Sequence, residues 1–314
     1  MTAAEEAVES FACFGSTCTV LVGDDGPDGA AAAVQAARVR LLGWHDRFSR
    51  FEPTSELSRL NADPRGEVPV SPVMAELILA VTMAARETAG LVDATLVDEI
   101  ESTGYGGELG PSLPLALLLR LAPARRPAGP RPGARWDAIS LVAEGTHMRR
   151  PPGLRIDSGG LAKGLFADLL AEDLRGHRSF AVDCAGDLRI GGSVGLPRAV
   201  QVANPIDGRM LHTFDLTTGG IATSGISRRS WLGSDGRPAH HVLDPATGRA
   251  AFTGIIQATA IAPTALEAEW RAKAALLTGP DGAEQWLAHG GALVFEDSAH
   301  RTIEPGRGQR TPRR

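Results

Sequence analysis

Ile156-Asp157-Ser158-Gly159-Gly160-Leu161-Ala162-Lys163-Gly164 stands between a short apolar run and a helical pattern. It sets an acid, two adjacent glycines and a cation at the start of a helix. Unpaired backbone N–H groups and the positive helix end point outward at such a turn, so it suits an anion. The paired glycines let backbone approach a ligand closely, and Lys163 on the first helical turn can reach a phosphate. The Walker pattern of nucleotide hydrolases is absent. The plain structural alternative is a tight strand-to-helix turn with a surface lysine.

Working outward, residues 160–174 carry Leu161, Leu165, Leu169 and Leu170 at helical spacing. Beyond residue 135 the pattern turns strand-rich, with strands expected at 136–142, 179–184, 187–191, 199–203, 211–216 and 255–262. Thr264-Ala265-Leu266-Glu267 is a capping box that opens a helix over 264–277. A short helix (281–289) and a strand (291–296) follow. Upstream, 11–22 reads as one strand and 29–48 as an Ala-rich helix. Ser71-Pro72 starts a helix that runs to about Thr88 and stops at Gly90. The Pro/Gly/Arg-rich stretch 123–135 reads as an exposed loop or a subdomain junction. The fold class is therefore α+β.

The chain has 314 residues, 43% of them hydrophobic, enough for a large core. A net charge of −5 implies no general nucleic-acid affinity, and few aromatics argue against single-strand stacking. Cys13, Cys18 and Cys184 are odd in number and lack metal-ligand spacing, which favours a reducing compartment. Neither a secretory signal nor a membrane-length apolar run is read, so the expectation is a cytoplasmic chain. Residues 1–10 read as an N-terminal extension. Residues 297–314 read as a basic, disordered tail.

Four further segments attract attention. Thr223-Ser224-Gly225 offers hydroxyls beside a glycine, or simply a polar turn. In His240-His241-Val242-Leu243-Asp244-Pro245-Ala246-Thr247-Gly248, neighbouring strand residues face opposite sides, so one histidine can serve a ligand while the other packs. Cys184-Ala185-Gly186-Asp187 is a hairpin turn or an acid beside a close-approach glycine. Arg50–Asn61 is a polar loop followed by a short helix capped by Thr54 or Ser55.

In order and spacing, these segments over residues 12–296 resemble the ApbE family of FAD:protein FMN transferases. Asp157–Gly164 resembles its Asp-x-Gly-Gly-x-Ala-Lys-Gly core. Thr223–Gly225 and His241–Gly248 match Thr-Ser-Gly and His-x-x-Asp-Pro-x-Thr-Gly. Phe14–Thr17, Arg50–Asn61, Gly90–Thr95 and Cys184–Asp187 supply the remaining elements, with Val92, Ala94 and Ala185 as departures. The resemblance implies a T-fold-like domain over 11–296, one catalytic unit with two subdomains. It implies FAD as donor, transfer of FMN to a Thr or Ser of an acceptor flavoprotein, and release of AMP. It gives His241 and Lys163 catalytic roles. Asn61, Asp157, Gly159, Gly160, Lys163, Asp187, Thr223, Ser224, Asp244 and Thr247 become cofactor contacts. Non-catalytic FAD binding and FAD hydrolysis to FMN and AMP are the alternatives.

One departure concerns metal. The family uses an Asp, and a Thr four residues later, for Mg²⁺. Here Ala162 and Glu269 are the corresponding candidates, and Lys273 replaces the Thr. Glu269 and Lys273 either pair as i,i+4 neighbours, worth ~0.3–0.5 kcal/mol, or the Lys273 ammonium takes part of the metal's place.

Overall fold

Eight antiparallel strands form the central sheet of the computed structural model, which describes residues 6–23, 29–107 and 110–305. Across the sheet they run Glu6–Cys13, Ser16–Gly23, Ser179–Cys184, Asp187–Gly191, Gly219–Gly225, Ile255–Ala262, Gly291–Phe295 and His300–Ile303. Seven helices are described: α1 (Ala30–Phe48), α2 (Glu56–Ala62), α3 (Pro72–Glu87), α4 (Val97–Ser102), α5 (Leu115–Leu121), α6 (Ala162–Leu174) and α7 (Ala265–Thr278). The architecture is mixed α+β, as the sequence patterns indicate. No helix among the described residues is long and apolar enough to cross a membrane.

Period-two alternation decides what each face of the sheet covers. On Ser179–Cys184, Phe180, Val182 and Cys184 face the core built with α1, α3 and α6. Ala181 turns to the other side. There it joins Ile190 and Ile221 beneath the hairpin Arg198–Ala203/Met210–Leu216, which contributes Val202, Phe214 and Leu216. The helical core centres on Phe166, fully buried, with ring centroids of Trp44, Phe48 and Phe14 at 4.9, 5.1 and 5.8 Å. Burial of such a ring stabilises by about 1.5–3 kcal/mol.

The two helices that meet at the sheet's centre, α6 and α7, are bound through their N-termini. The first N–H groups of a helix have no partner within it. Asp168 on α6 accepts from the Ala265 and Leu266 N–H groups, both at 2.9 Å, and the Thr264 hydroxyl accepts from Glu267 N at 3.1 Å. In return, Glu269 on α7 accepts from Gly164 N at 2.9 Å. The contact demands glycine. A Cβ on Gly164 would lie 2.7 Å from the Ala265 carbonyl oxygen, and one on Gly220 would lie 2.4 Å from the Thr264 backbone.

Most sequence-based boundaries hold within a residue or two, including the helices at 30–48, 72–87, 162–174 and 265–278. Ser55, not Thr54, caps α2 by accepting from Ser58 N. Five expectations change. The strand expected at 11–22 is a hairpin: Phe14 and Gly15 take φ values of 53° and 69°, the positive pair that a two-residue turn requires. Its first strand begins at Glu6, so half of the presumed N-terminal extension belongs to the sheet. The tail expected to lack order from residue 297 supplies the edge strand His300–Ile303, paired in register with Gly291–Val294. Its Asp297 turn, with Ala299 N donating to the carboxylate at 2.9 Å, redirects the chain. Residues 306–314 lie outside the described residues. The segment 136–142 opens as a 3-10 turn, Arg135–Ala138, and 281–289 holds only the turn Ala283–Trp286.

Gly164→Ala should lower the unfolding free energy by about 1–3 kcal/mol through overpacking. Gly176→Ala, where an added Cβ meets nothing within 4 Å, should not destabilise. Urea denaturation of the two variants separates them; equal midpoints would show that the α6–α7 contact is slack.

Candidate functional site

The turn Asp157–Gly160 and the start of α6 form one wall of a cleft of about 1310 Å³. Asp157 N–H donates to the Ala94 carbonyl, and its Oδ1 accepts from Gly159 N at 3.0 Å. This tight loop presents Gly159 and Gly160 to the cleft. The strand Gly219–Gly225 supplies Thr223 and Ser224 on another side, with the Thr223 and Thr259 hydroxyls 2.8 Å apart. Ala162, Lys163, Asp187, His241, Glu269 and Lys273 complete the polar lining. Eleven of the residues singled out by sequence thus reach one cavity.

Three do not. The Asn61 side chain bonds both backbone groups of Ile156, donating to the carbonyl at 2.8 Å and accepting from the N–H at 2.9 Å. It braces the irregular segment that enters the glycine turn. Asp244 accepts from Gly129 N, Ala246 N and the Thr247 hydroxyl at 3.0, 3.1 and 2.8 Å. Asp244 and Thr247 thereby fold the loop that follows His241. These residues shape the site from behind it, and none lines the cleft.

Within the cleft, Lys163 is fully engaged. Its ammonium bonds Asp187 and lies 3.7 Å from Glu269. Burial opposes that charge, but the two carboxylates outweigh it and hold Lys163 above the ordinary lysine range. Burial pushes the Glu269 carboxyl up to about 8, with Asp187 adding to the effect. Lys273, four residues on, donates to the Gly160 carbonyl at 2.6 Å. Burial lowers its pKa. It makes no ion pair within 4 Å among the described residues. The i,i+4 pairing with Glu269 that the sequence allows is therefore not formed, because Glu269 reaches across to α6 and Lys273 to the glycine turn before it.

The two histidines divide, one packing and one facing the cleft. His240 is buried against Phe252, with ring centroids 4.8 Å apart. Its Nε2 lies 3.0 Å from the Ala251 carbonyl and Nδ1 accepts from Val242 N at 3.3 Å, which fixes a neutral ring protonated at Nε2. His241 lines the cleft, and its Nδ1 is buried without a protein partner. Burial, with His240 and the nearby Arg229, Lys273 and Lys163 charges, holds it down to about 3. It is a neutral imidazole at neutral pH.

Sequence reading passed over two contributors. The Arg50 guanidinium sits 4.4 and 4.5 Å from the Phe51 and Tyr105 ring centroids and 3.9 Å from Asp157. The Phe51 and Tyr105 rings are tilted 49° to each other, so this is a cation–aromatic cluster at the cleft that can meet a planar ring. Arg229 donates to the Phe14 carbonyl at 2.9 Å and lines the same cavity. Arg50-Phe51 was visible in the polar loop; nothing local marks Arg229 or Tyr105.

The Mg²⁺ implied by the resemblance does not fit the residues present. Among the described residues no group of three His, Cys, Asp or Glu converges to hold a metal. Glu269 already faces Gly164 N–H and Lys163, and an ammonium stands where a hydroxyl ligand is expected. Mg²⁺ requires oxygen donors in near-octahedral array, and two ammonium groups beside it would repel it.

Burial lowers the His240 pKa to about 4. The unfolded chain, with an ordinary value near 6.5, binds the proton first, so this contribution to stability is full above 6.5 and drains away as pH falls toward 4. Between pH 7 and 4.5, His240→Gln should lose roughly 2 kcal/mol less stability than the parent chain. Chemical denaturation at both pH values measures this; equal losses would contradict a neutral buried ring.

Comparison with known proteins agrees with this geometry. The ApbE family model matches residues 14–295. The FAD:protein FMN transferase of Klebsiella pneumoniae (strain 342) is 30% identical over 301 residues, 89% of this chain and 84% of that protein. The Escherichia coli K12 protein of the same name is 28% identical over 257 residues, 79% and 71% of the two chains. Among solved structures, the ApbE protein of Thermotoga maritima superposes with a TM-score of 0.78 at 22% identity, covering 96% of this chain and 97% of that one. The flavin transferase ApbE of Vibrio cholerae gives 0.72 at 19% identity, covering 95% and 96%. The chain belongs to the ApbE family.

Proposed function

We propose that this chain is an FAD:protein FMN transferase, taking FMN from FAD to a Thr or Ser hydroxyl of an acceptor flavoprotein. The observation that carries the reading is the meeting, in one cleft, of the Gly159–Gly160 anion turn, the Lys163 cation and the neutral His241. Support comes from the names of its relatives and from a cavity roomy enough for a dinucleotide.

In this reading a bond forms between the acceptor hydroxyl oxygen and the phosphorus on the FMN side of FAD. The phosphoanhydride P–O bond breaks, and AMP leaves with the electron pair. His241, neutral and with an unpartnered ring nitrogen, takes the hydroxyl proton. Positioning and charge neutralisation supply most of the acceleration in such displacements. The Gly159–Gly160 backbone holds the pyrophosphate close. Lys163 keeps its proton throughout, because Asp187 and Glu269 stabilise the charged form. Thr223 and Ser224 offer hydroxyls to the cofactor, and the Arg50–Tyr105 stack receives a ring.

Mass spectrometry tests the reading directly. The chain is incubated with FAD and an acceptor carrying an Asp-Gly-x-Thr-Gly-Ala-Thr-like segment. The acceptor should gain the mass of FMN on threonine. His241→Ala should slow transfer at least 100-fold while FAD binding persists. Free FMN and AMP with unmodified acceptor would indicate hydrolysis instead. Bound but intact FAD would indicate a binding protein.

A further inference from the structure

Lys273 is the one lysine lining the cleft that no described carboxylate neutralises at ion-pair distance. Lys163 is consumed by Asp187 and Glu269, whereas the described partner of Lys273 is the Gly160 carbonyl at 2.6 Å. An ammonium carries three donors, so two remain after that bond. Glu269, Asp187 and Asp157 act on the ammonium only from beyond ion-pair distance, so a closer anion would gain from a charge that burial otherwise makes costly. The Gly160 contact anchors the ammonium to the glycine turn, on the wall of the cleft. A third feature fixes its position. Glu269, one turn before it on α7, is tied to Gly164 N–H, so the face of α7 carrying both residues is locked onto α6. Small residues complete the approach: an added Cβ on Gly160 would lie 3.6 Å from Lys273 Nζ.

We propose that Lys273 is a built-in cation for the pyrophosphate of the dinucleotide, in place of the divalent ion that the donor set does not fit. The inference rests on the reading of the cleft as an FAD site. Lys273 donates hydrogen bonds and charge to phosphate oxygens and to the AMP phosphate as it leaves. It transfers no proton, and the bonds made and broken are those already given. A lysine suits this role as a point charge on a flexible stem. It needs no bound ion to be recruited. The consequence is a chain whose dinucleotide binding and transfer are indifferent to Mg²⁺.

The test pairs flavin fluorescence titration with FMN transfer, each in EDTA and in excess MgCl₂. The parent chain should bind FAD with the same Kd within about twofold in both media. Lys273→Ala should weaken binding at least tenfold in EDTA, with an unchanged circular dichroism spectrum. A paired variant, Glu269→Asp with Lys273→Thr, should become Mg²⁺-dependent. A parent Kd that tightens tenfold with Mg²⁺, or transfer that requires Mg²⁺, overturns the proposal and leaves the transferase reading standing. Metal-indifferent, Lys273-dependent binding without transfer in either medium upholds the proposal and overturns transfer. No FAD binding in either medium overturns both.

Discussion

Helices α6 and α7 cap one another. Each lends a carboxylate, Asp168 or Glu269, to backbone N–H groups in the first turn of its partner. Such groups have no intrahelical acceptor, and a carboxylate at the positive helix end gains from both hydrogen bonding and the dipole. Because the capping runs both ways, neither helix can slide without stranding donors of the other. Gly164 and Gly220 let the backbones close to contact distance. The glycine turn and both lysines of the cleft hang from this junction. The glycine turn precedes α6, Lys163 lies on its first turn, and Glu269 and Lys273 project from α7.

The same junction sorts the charges. Two carboxylates and two ammonium groups share a poorly hydrated corner, yet they do not pair one to one. Lys163 takes both acids, and Glu269 is additionally spent on Gly164. Lys273 is left with a backbone carbonyl. With both acids ionised, Lys163 and its two carboxylates sum to one negative charge, and Lys273 brings the four groups to neutrality without meeting either acid at ion-pair distance. An ammonium that neither acid engages at ion-pair distance suits a phosphate oxygen, and two ammonium groups side by side disfavour a divalent cation. His241 stays neutral because burial and surrounding positive charge both resist its protonation.

Much of this was legible in the chain. Adjacent glycines between an acid and a lysine announce a strand-to-helix anion turn, and the Thr264 capping box and Ser71-Pro72 start locate helices by local chemistry alone. The expectation that one histidine packs while the other faces the cleft holds, although the strand ends at His240 and His241 sits in the bend that follows. Local pattern failed where a role is set by distant partners. Asn61 looks like a ligand-facing amide, but Ile156, far along the chain, takes both its donor and its acceptor. The turn that Asp244 opens is plain in the Asp-Pro-Ala-Thr-Gly pattern, whereas the contacts that the resemblance implies for Asp244 and Thr247 are spent inside it. Glu269 and Lys273 have favourable pairing spacing, yet Gly164 on α6 takes the one and the Gly160 carbonyl takes the other. The Arg50–Tyr105 stack joins residues that no window could connect. The edge strand His300–Ile303 was hidden by a basic, polar composition that suits an edge as well as a loose tail.

The most direct measurement is a crystal structure with FAD, grown in excess MnCl₂ and recorded at the manganese absorption edge. A built-in cation on α7 requires Lys273 Nζ within hydrogen-bond distance of a pyrophosphate oxygen, and no anomalous peak between Glu269 and the phosphates. A manganese peak there, with Lys273 turned away, would contradict it.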